Sequence, residues 1–328
     1  MLRRLPPQLP RHLVQGGFVL FFLWIGIRFY QWTTALATSG IAPFPRPDAV
    51  DGFLPISGLM NLRHWLQTGE LFPVHPAAAL ILLAALLTGL LLKRGFCSWI
   101  CPVFALGEVL WRLGHKLFGR NFIPPFWIDL PLRSLKYLLL AFFLFAALLA
   151  MPLPALQAFL AAPYHQIVDV RMLHFFTDPS ATVLIFVAIT IILSIFVKLP
   201  WCRYLCPYGA LLGLVSLASI GKIRRYPEKC VRCNACSHRC PASLPVMLKT
   251  TIRSAECFAC YRCVAGCPAP GALHFTWARR WVIPPVLFAV LLLTLFIGVD
   301  LYGRSIDRWH SGVADQQVRL LLQPVERP

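Results

Sequence analysis

Five apolar runs set the rhythm of the chain, at residues 13–37, 76–92, 137–153, 181–197 and 281–300, with charge and proline returning between them. Each is close to the roughly 20 residues an α-helix needs to cross a bilayer, so the pattern predicts five transmembrane helices. The intervening stretches predict a tail at 1–12, a loop with a helix at 93–136, a second loop with a helix at 198–222, a folded domain at 223–278 and a tail at 301–328. In the first of these loops Glu108, Arg112, His115 and Lys116 oppose Leu106, Leu110, Leu113 and Leu117, the stripe of a helix lying on a membrane surface. The basic start and Ala35-Leu36-Ala37 also fit a cleaved signal peptide, but Arg28, Tyr30, Gln31 and Trp32 make a bulky approach to such a site, and a retained span is expected. Arg28 near its outer end reads as a snorkelling anchor in preference to a site for an anionic or quinone head group.

With 58% apolar and only 13% charged residues, most of the chain belongs in lipid. A net charge of +18 would suggest nucleic acid for a soluble protein. Here its distribution explains it. Lys and Arg number 3 before the first span, 7 in residues 93–136 and 13 in residues 198–280, so 23 fall on one side and 7 on the other, with Arg28 inside a span. Nine of the 13 acidic residues take the sparse side. By the positive-inside rule the N-terminus and both cysteine-bearing regions face the cytoplasm and the C-terminal tail faces out, and no nucleic-acid partner is expected. The later spans carry no ionisable residues in their cores, which argues against ion or proton transport.

All twelve cysteines fall into ligand-like spacings, a usage suited to a reducing compartment. Cys230, Cys233, Cys236 and Cys240-Pro form a CxxCxxCxxxCP run that returns as Cys257, Cys260, Cys263 and Cys267-Pro. Three thiolates on a tight loop reach three irons of one cube while the fourth serves its neighbour. The expected ligands are therefore crossed: Cys230, Cys233, Cys236 and Cys267 for one 4Fe-4S cluster, and Cys257, Cys260, Cys263 and Cys240 for the other. A zinc ribbon uses four ligands in two pairs and would leave one cysteine over at each triplet. Disulfides between cysteines three apart have poor bridge geometry. Over about 50 residues this stretch resembles the bacterial-type two-cluster ferredoxin module.

A second motif repeats at a constant offset of 105: Phe96-Cys97-Ser-Trp-Ile-Cys101-Pro102 and Trp201-Cys202-Arg-Tyr-Leu-Cys206-Pro207. Spans one and two and spans three and four therefore read as parallel repeats about an axis along the membrane normal, which brings both CxxxCP loops together. Pro102 and Pro207 suit the first turn of a helix, placing Cys101 and Cys206 where free N–H groups favour a thiolate. The expectation is one four-cysteine metal site made by Cys97, Cys101, Cys202 and Cys206, most simply a further iron-sulfur cluster. Separate redox-active dithiols and a purely structural pairing remain the alternatives.

Two CxxxCP loops on membrane spans followed by a two-cluster ferredoxin stretch resemble the membrane-bound polyferredoxin family, over residues 50–280. That family includes the quinol-dehydrogenase membrane subunit of periplasmic nitrate reduction, the nitrous oxide reductase maturation flavoprotein and oxidase-assembly copper reductases. The fold class expected is an α-helical integral membrane protein with an inserted α+β ferredoxin-like module. The resemblance implies a protein of the bacterial cytoplasmic membrane that passes electrons between quinol or quinone and a redox protein partner. Copper reduction for enzyme assembly is a rival, disfavoured by five scattered Met and no outer Cys; a redox sensor is another. His64, His75, His165 and His174, near span ends, are candidate contacts for a quinol head group or a haem, or ordinary interfacial residues.

Overall fold

The computed structural model describes residues 7–322. The ends of both expected tails, 1–6 and 323–328, lie outside the described residues. The chain is mostly helical, with one small sheet. Three helices are long and apolar enough to cross a membrane: Leu9–Thr38, Trp127–Leu149 and Pro285–Ser305. The runs at 76–92 and 181–197 also become apolar helices, Pro76–Leu92 and Ala181–Phe196, but with 17 and 16 residues they are shorter. Ala181–Phe196 follows the helix Val168–Thr177 at a bend of 72°.

Two predicted boundaries move. The third span, expected at 137–153, belongs to a helix that starts at Phe126 and runs through a π-turn, Phe145–Leu149. Its first turns are therefore charged, because Asp129, Arg133 and Lys136 find buried partners: Asp129 accepts from Arg203 at 2.8 Å and from Tyr204 at 2.8 Å, and Lys136 donates to Glu256 at 2.6 Å. The expectation of uncharged later spans is corrected to this extent. The fifth span, expected from 281, starts at Pro285, because Trp281–Val282 forms a strand.

Two compact units divide the chain. One comprises residues 1–20, 85–140 and 187–295 and contains every cysteine. Its sheet is antiparallel in the order β1 (Gly221–Arg225), β2 (Leu273–Trp277) and β3 (Trp281–Val282), with Ile223 opposite Phe275 and Trp277 opposite Trp281. Between β1 and β2 lie both CxxCxxC loops. A buried aromatic group holds this module to its helices: Trp99 stacks on Phe288 at 4.7 Å, Phe275 meets Phe288 edge-on at 5.2 Å, and Tyr261 donates its hydroxyl to the Ile283 carbonyl at 2.9 Å. Gly95 abuts this group, since a Cβ there would sit 2.7 Å from the Phe288 ring. The predicted surface helix is Pro102–Phe118. Leu106, Leu113 and Leu117 are exposed along it, whereas Glu108 turns inward.

The other unit comprises residues 21–84, 141–186 and 296–328. The proline-punctuated segment 43–55 becomes a strap with a short 3₁₀ turn, Asp48–Phe53. Arg46 donates to Asp51 at 2.5 Å and to Asp169 at 2.8 Å, and His75 Nδ1 lies 2.9 Å from the same Asp51 carboxylate. Burial opposes ionisation of Asp51, but the charges of Arg46 and His75 outweigh it and hold the carboxyl at about 2. His165 packs 5.5 Å from His75, ring to ring, and is pushed down to about 4 by burial and by His75. Its Nε2 lies 3.0 Å from Ser57 Oγ. His64 is buried against the Glu70 carbonyl at 2.9 Å, while His174 is exposed. Arg28 stands 3.4 Å over the Phe44 ring in a cation–π contact.

Candidate metal centre

The cysteine spacing dictates the local backbone of the ferredoxin loops. To turn three thiols of CxxCxxC inward within seven residues, the chain must reverse twice. It does so through left-handed residues at matching places, Arg232 and Asn234 in the first loop and Ala259 and Tyr261 in the second. Each loop then runs into a one-turn helix, Ala235–His238 and Arg262–Ala265. One cavity is lined by Cys230, Cys233, Cys236 and Cys267, with Pro268 and Leu273 closing it. Cys233 is exposed, and the Arg232 N–H shifts the Cys230 thiol downward.

The second group is deeper. Cys240 and Cys260 are buried. Burial and then Cys260 push the Cys240 thiol up to about 12, and Cys263 is raised by burial and by Cys260, Cys240 and Cys257. Cys240 thus stands with the triplet of the other loop and Cys267 with that of the first.

The CxxxCP loops share a conformation as well as a spacing. In each, the second cysteine's N–H donates to the carbonyl of the aromatic residue before the first cysteine: Cys101 to Phe96 at 3.1 Å, Cys206 to Trp201 at 2.9 Å. Each second cysteine then caps a helix with proline at its first turn. The four thiols lie within electrostatic reach of one another: the Cys202 thiol is raised well above its ordinary range by burial, then by Cys206, Cys101 and Cys97. The helix ends do act on them, since Gly209 N–H donates to Cys206 Sγ at 3.2 Å. Burial outweighs this, however, and moves Cys101 up to about 12, so the expected gain in thiolate character is overturned for the free thiols.

Arg94, which no sequence pattern marks, is buried beside these four cysteines, and its charge acts on Cys202 and Cys206. Its Nη1 donates to the Ala255 carbonyl at 3.1 Å and lies 3.4 Å from Glu256, while its Nε and Nη2 find no acceptor among the described residues. A buried cation with free donors beside four thiols fits an anionic thiolate-bound cluster, whose sulfides accept such bonds. Among the described residues no three His, Cys, Asp or Glu side chains converge at the spacing of a single metal ion. A cube instead holds its thiolates at separate corners.

Sequence reasoning also missed Glu108. It accepts from Arg11 at 2.7 Å, Arg112 at 2.5 Å and Arg262 at 2.6 Å, and so ties the N-terminal helix to the loop that carries Cys260 and Cys263. A lone Glu in an amphipathic stripe gives no sign of partners about 100 and 150 positions away.

Apolar membrane helices bearing paired CxxxCP loops around a two-loop cysteine module define a membrane-bound ferredoxin-type protein. Residues 74–121 and 180–226 match the 4Fe-4S binding domain family, and residues 222–268 match the 4Fe-4S dicluster domain. The chain belongs to the family of membrane-associated ferredoxin-type proteins that includes YccM of Escherichia coli K12, a protein whose name assigns it provisionally to electron transport. The two are 42% identical over 316 residues, 94% of this chain and 87% of YccM. The ferredoxin-type protein NapH of the same organism is 27% identical over 232 residues, covering 68% of this chain and 74% of NapH. The regulatory protein NosR of Pseudomonas aeruginosa is 28% identical over 217 residues, 65% of this chain but 29% of NosR. No solved structure matches the chain significantly.

Proposed function

We propose that this protein is a membrane-anchored electron carrier with three 4Fe-4S clusters, linking a soluble redox protein to the quinone of a bacterial cytoplasmic membrane. In this reading Cys230, Cys233, Cys236 and Cys267 hold one cluster and Cys257, Cys260, Cys263 and Cys240 a second. Cys97, Cys101, Cys202 and Cys206 hold a third. The observation that carries it is the gathering of twelve cysteines within one unit into three groups of four. The match of the two CxxxCP segments to a 4Fe-4S binding family supports the third assignment. Bound clusters supply one-electron chemistry; the chain supplies the thiols, buries them and, at Arg94, offers charge and free N–H groups.

The short apolar helices Pro76–Leu92 and Ala181–Phe196 complete a five-span arrangement, with the two CxxxCP loops as parallel repeats and the cysteines on the cytoplasmic side. The 23 to 7 division of basic residues supports that orientation. The apolar stripe of Pro102–Phe118 begins next to Cys101, which supports a lipid-phase partner such as quinone.

Iron and acid-labile sulfide analysis of anaerobically purified protein tests the reading. Three clusters give about 12 irons and two give about 8. Replacing Cys97 and Cys202 together by Ser is expected to remove about 4 irons and leave the magnetically coupled pair of the ferredoxin loops. A count of about 8 that this replacement does not change refutes the third cluster. Quinol oxidation that reduces the purified protein tests the membrane partner.

A further inference from the structure

The segment 93–99, leading through the first CxxxCP loop, is fastened along one ferredoxin loop by a series of hydrogen bonds. Lys93 Nζ donates to the Ser254 carbonyl at 2.8 Å and Arg94 Nη1 to that of Ala255 at 3.1 Å. Ser98 Oγ donates to the Phe258 carbonyl at 2.6 Å, and Trp99 Nε1 to that of Ala259 at 3.2 Å. The last two acceptors lie between Cys257 and Cys260, and the donors lie between Cys97 and Cys101. Ser98, Trp99, Phe258 and Ala259 are all buried. The second CxxxCP loop also reaches the ferredoxin module: Arg203, between Cys202 and Cys206, donates to Ser243 Oγ at 3.2 Å, three residues after Cys240, and Lys198, four residues before Cys202, donates to the His238 carbonyl at 3.0 Å, midway between Cys236 and Cys240. Cys240 is the cysteine grouped with Cys257, Cys260 and Cys263. Both CxxxCP loops therefore touch residues close in sequence to ligands of the Cys257 group, the first loop at Phe258 and Ala259 and the second at Ser243. The remaining group, with Cys233 exposed, lines a cavity to which no CxxxCP residue contributes.

We propose that the three sites form a wire of fixed order, in which the Cys230 group is the port for a soluble one-electron carrier and the Cys257 group is the relay. The four-cysteine site receives electrons through the Ser98–Phe258 and Trp99–Ala259 hydrogen bonds. The inference rests on the reading of Cys97, Cys101, Cys202 and Cys206 as a cluster site. With clusters bound at both places, the transfer would oxidise the relay by one electron and reduce the four-cysteine site by one, with no bond broken and no proton required. Ser98 and Trp99 bond to carbonyls and not to cysteine sulfur.

The test uses the full chain purified with its clusters. A photoexcited one-electron donor reduces it in a flash, and freeze-quenched paramagnetic resonance follows the arrival of the electron at the four-cysteine site. In the Ser98→Ala, Trp99→Phe double variant this arrival is expected to slow, with iron content and all midpoint potentials unchanged. Because Trp99 is a buried packing residue, Ser98→Ala alone serves as the milder variant: it removes one hydroxyl and is expected to slow the same step. Cys233→Ser is expected to impair reduction by the external donor while leaving the relay step at its original rate. A full iron count with an unchanged rate in Ser98→Ala and in the double variant overturns the wire alone. An iron count that stops at two clusters overturns the cluster reading, and the wire with it.

Discussion

Replacing Glu108 by Gln keeps the length of the side chain and removes its charge, leaving three arginines without their common partner. The cost can be worked in two ways. Burial opposes ionisation of Glu108, yet hydrogen bonds and charge from Arg11, with Arg262 and Arg112, bring its carboxyl from 4.5 to about 2. That lowering amounts to about 3 kcal/mol at neutral pH. Breaking a buried ion pair by removing one member typically costs about 3–5 kcal/mol, because the other charge stays buried. Arg112 is 41% exposed and can turn to water, so the loss falls on Arg11, with a side chain 0% exposed, and on Arg262, 15% exposed. The two routes agree on about 3 kcal/mol, a shift of about a hundredfold toward opening of the contact between the N-terminal helix and the Cys260–Cys263 loop. Loss of the visible iron-sulfur absorption in graded urea at pH 7 measures it. A Gln variant within about 0.5 kcal/mol of the parent refutes the reasoning, since surface substitutions reach that size without any buried pair.

Asp51→Asn is expected to destabilise the unit that has no cysteines. Because the Asp51 carboxyl is held at about 2 when folded, its contribution is present above the unfolded value of about 3.9 and fades as pH falls toward 2. His75 is raised, since Asp51 outweighs its burial, so its share is present at acid pH and fades as pH rises through its raised folded value. Thermal melts of parent and variant across pH 2–9 should therefore differ most in the middle of the range; a gap that grows below about pH 4 refutes the assignment. Gly114→Ala would place a Cβ 1.7 Å from the Ile195 carbonyl oxygen, and a loss of roughly 1–3 kcal/mol is expected in the same melts. Reporter fusions at residues 250 and 315 should read cytoplasmic and external respectively; a cytoplasmic reading at Asp315 refutes the orientation.

What was legible in the sequence is what is written in short intervals. The spacing of three and four between cysteines settles which thiols share a loop, and runs of apolar residues settle where helices form. Ion pairs leave no such interval: Glu256 meets Lys136 across 120 positions and Asp129 meets Arg203 across 74. For that reason the apolar run marks the start of the third span about ten residues late: the charges at its start read as loop, and only their buried partners make them part of the helix. The same reason hid Arg94, whose role depends on thiols brought together from two distant motifs. His75 is visible in the sequence, but Asp51 and Arg46, whose charges act on it, sit in a strap without a recognisable pattern.

The ferredoxin module has almost no slack at either end. Strand β1 begins three residues after the turn Ser216–Ala218, and β3 ends three residues before the helix Pro285–Ser305. Linkers of that length allow no swing and no reach, so the module cannot carry an electron by moving. In the proposed wire, a carrier that exchanges electrons at Cys233 has to come to the module, and turnover would scale with the concentration and diffusion of that visitor. Lengthening either junction with a flexible insert should bring no gain in rate, in contrast to carriers that work as tethered shuttles.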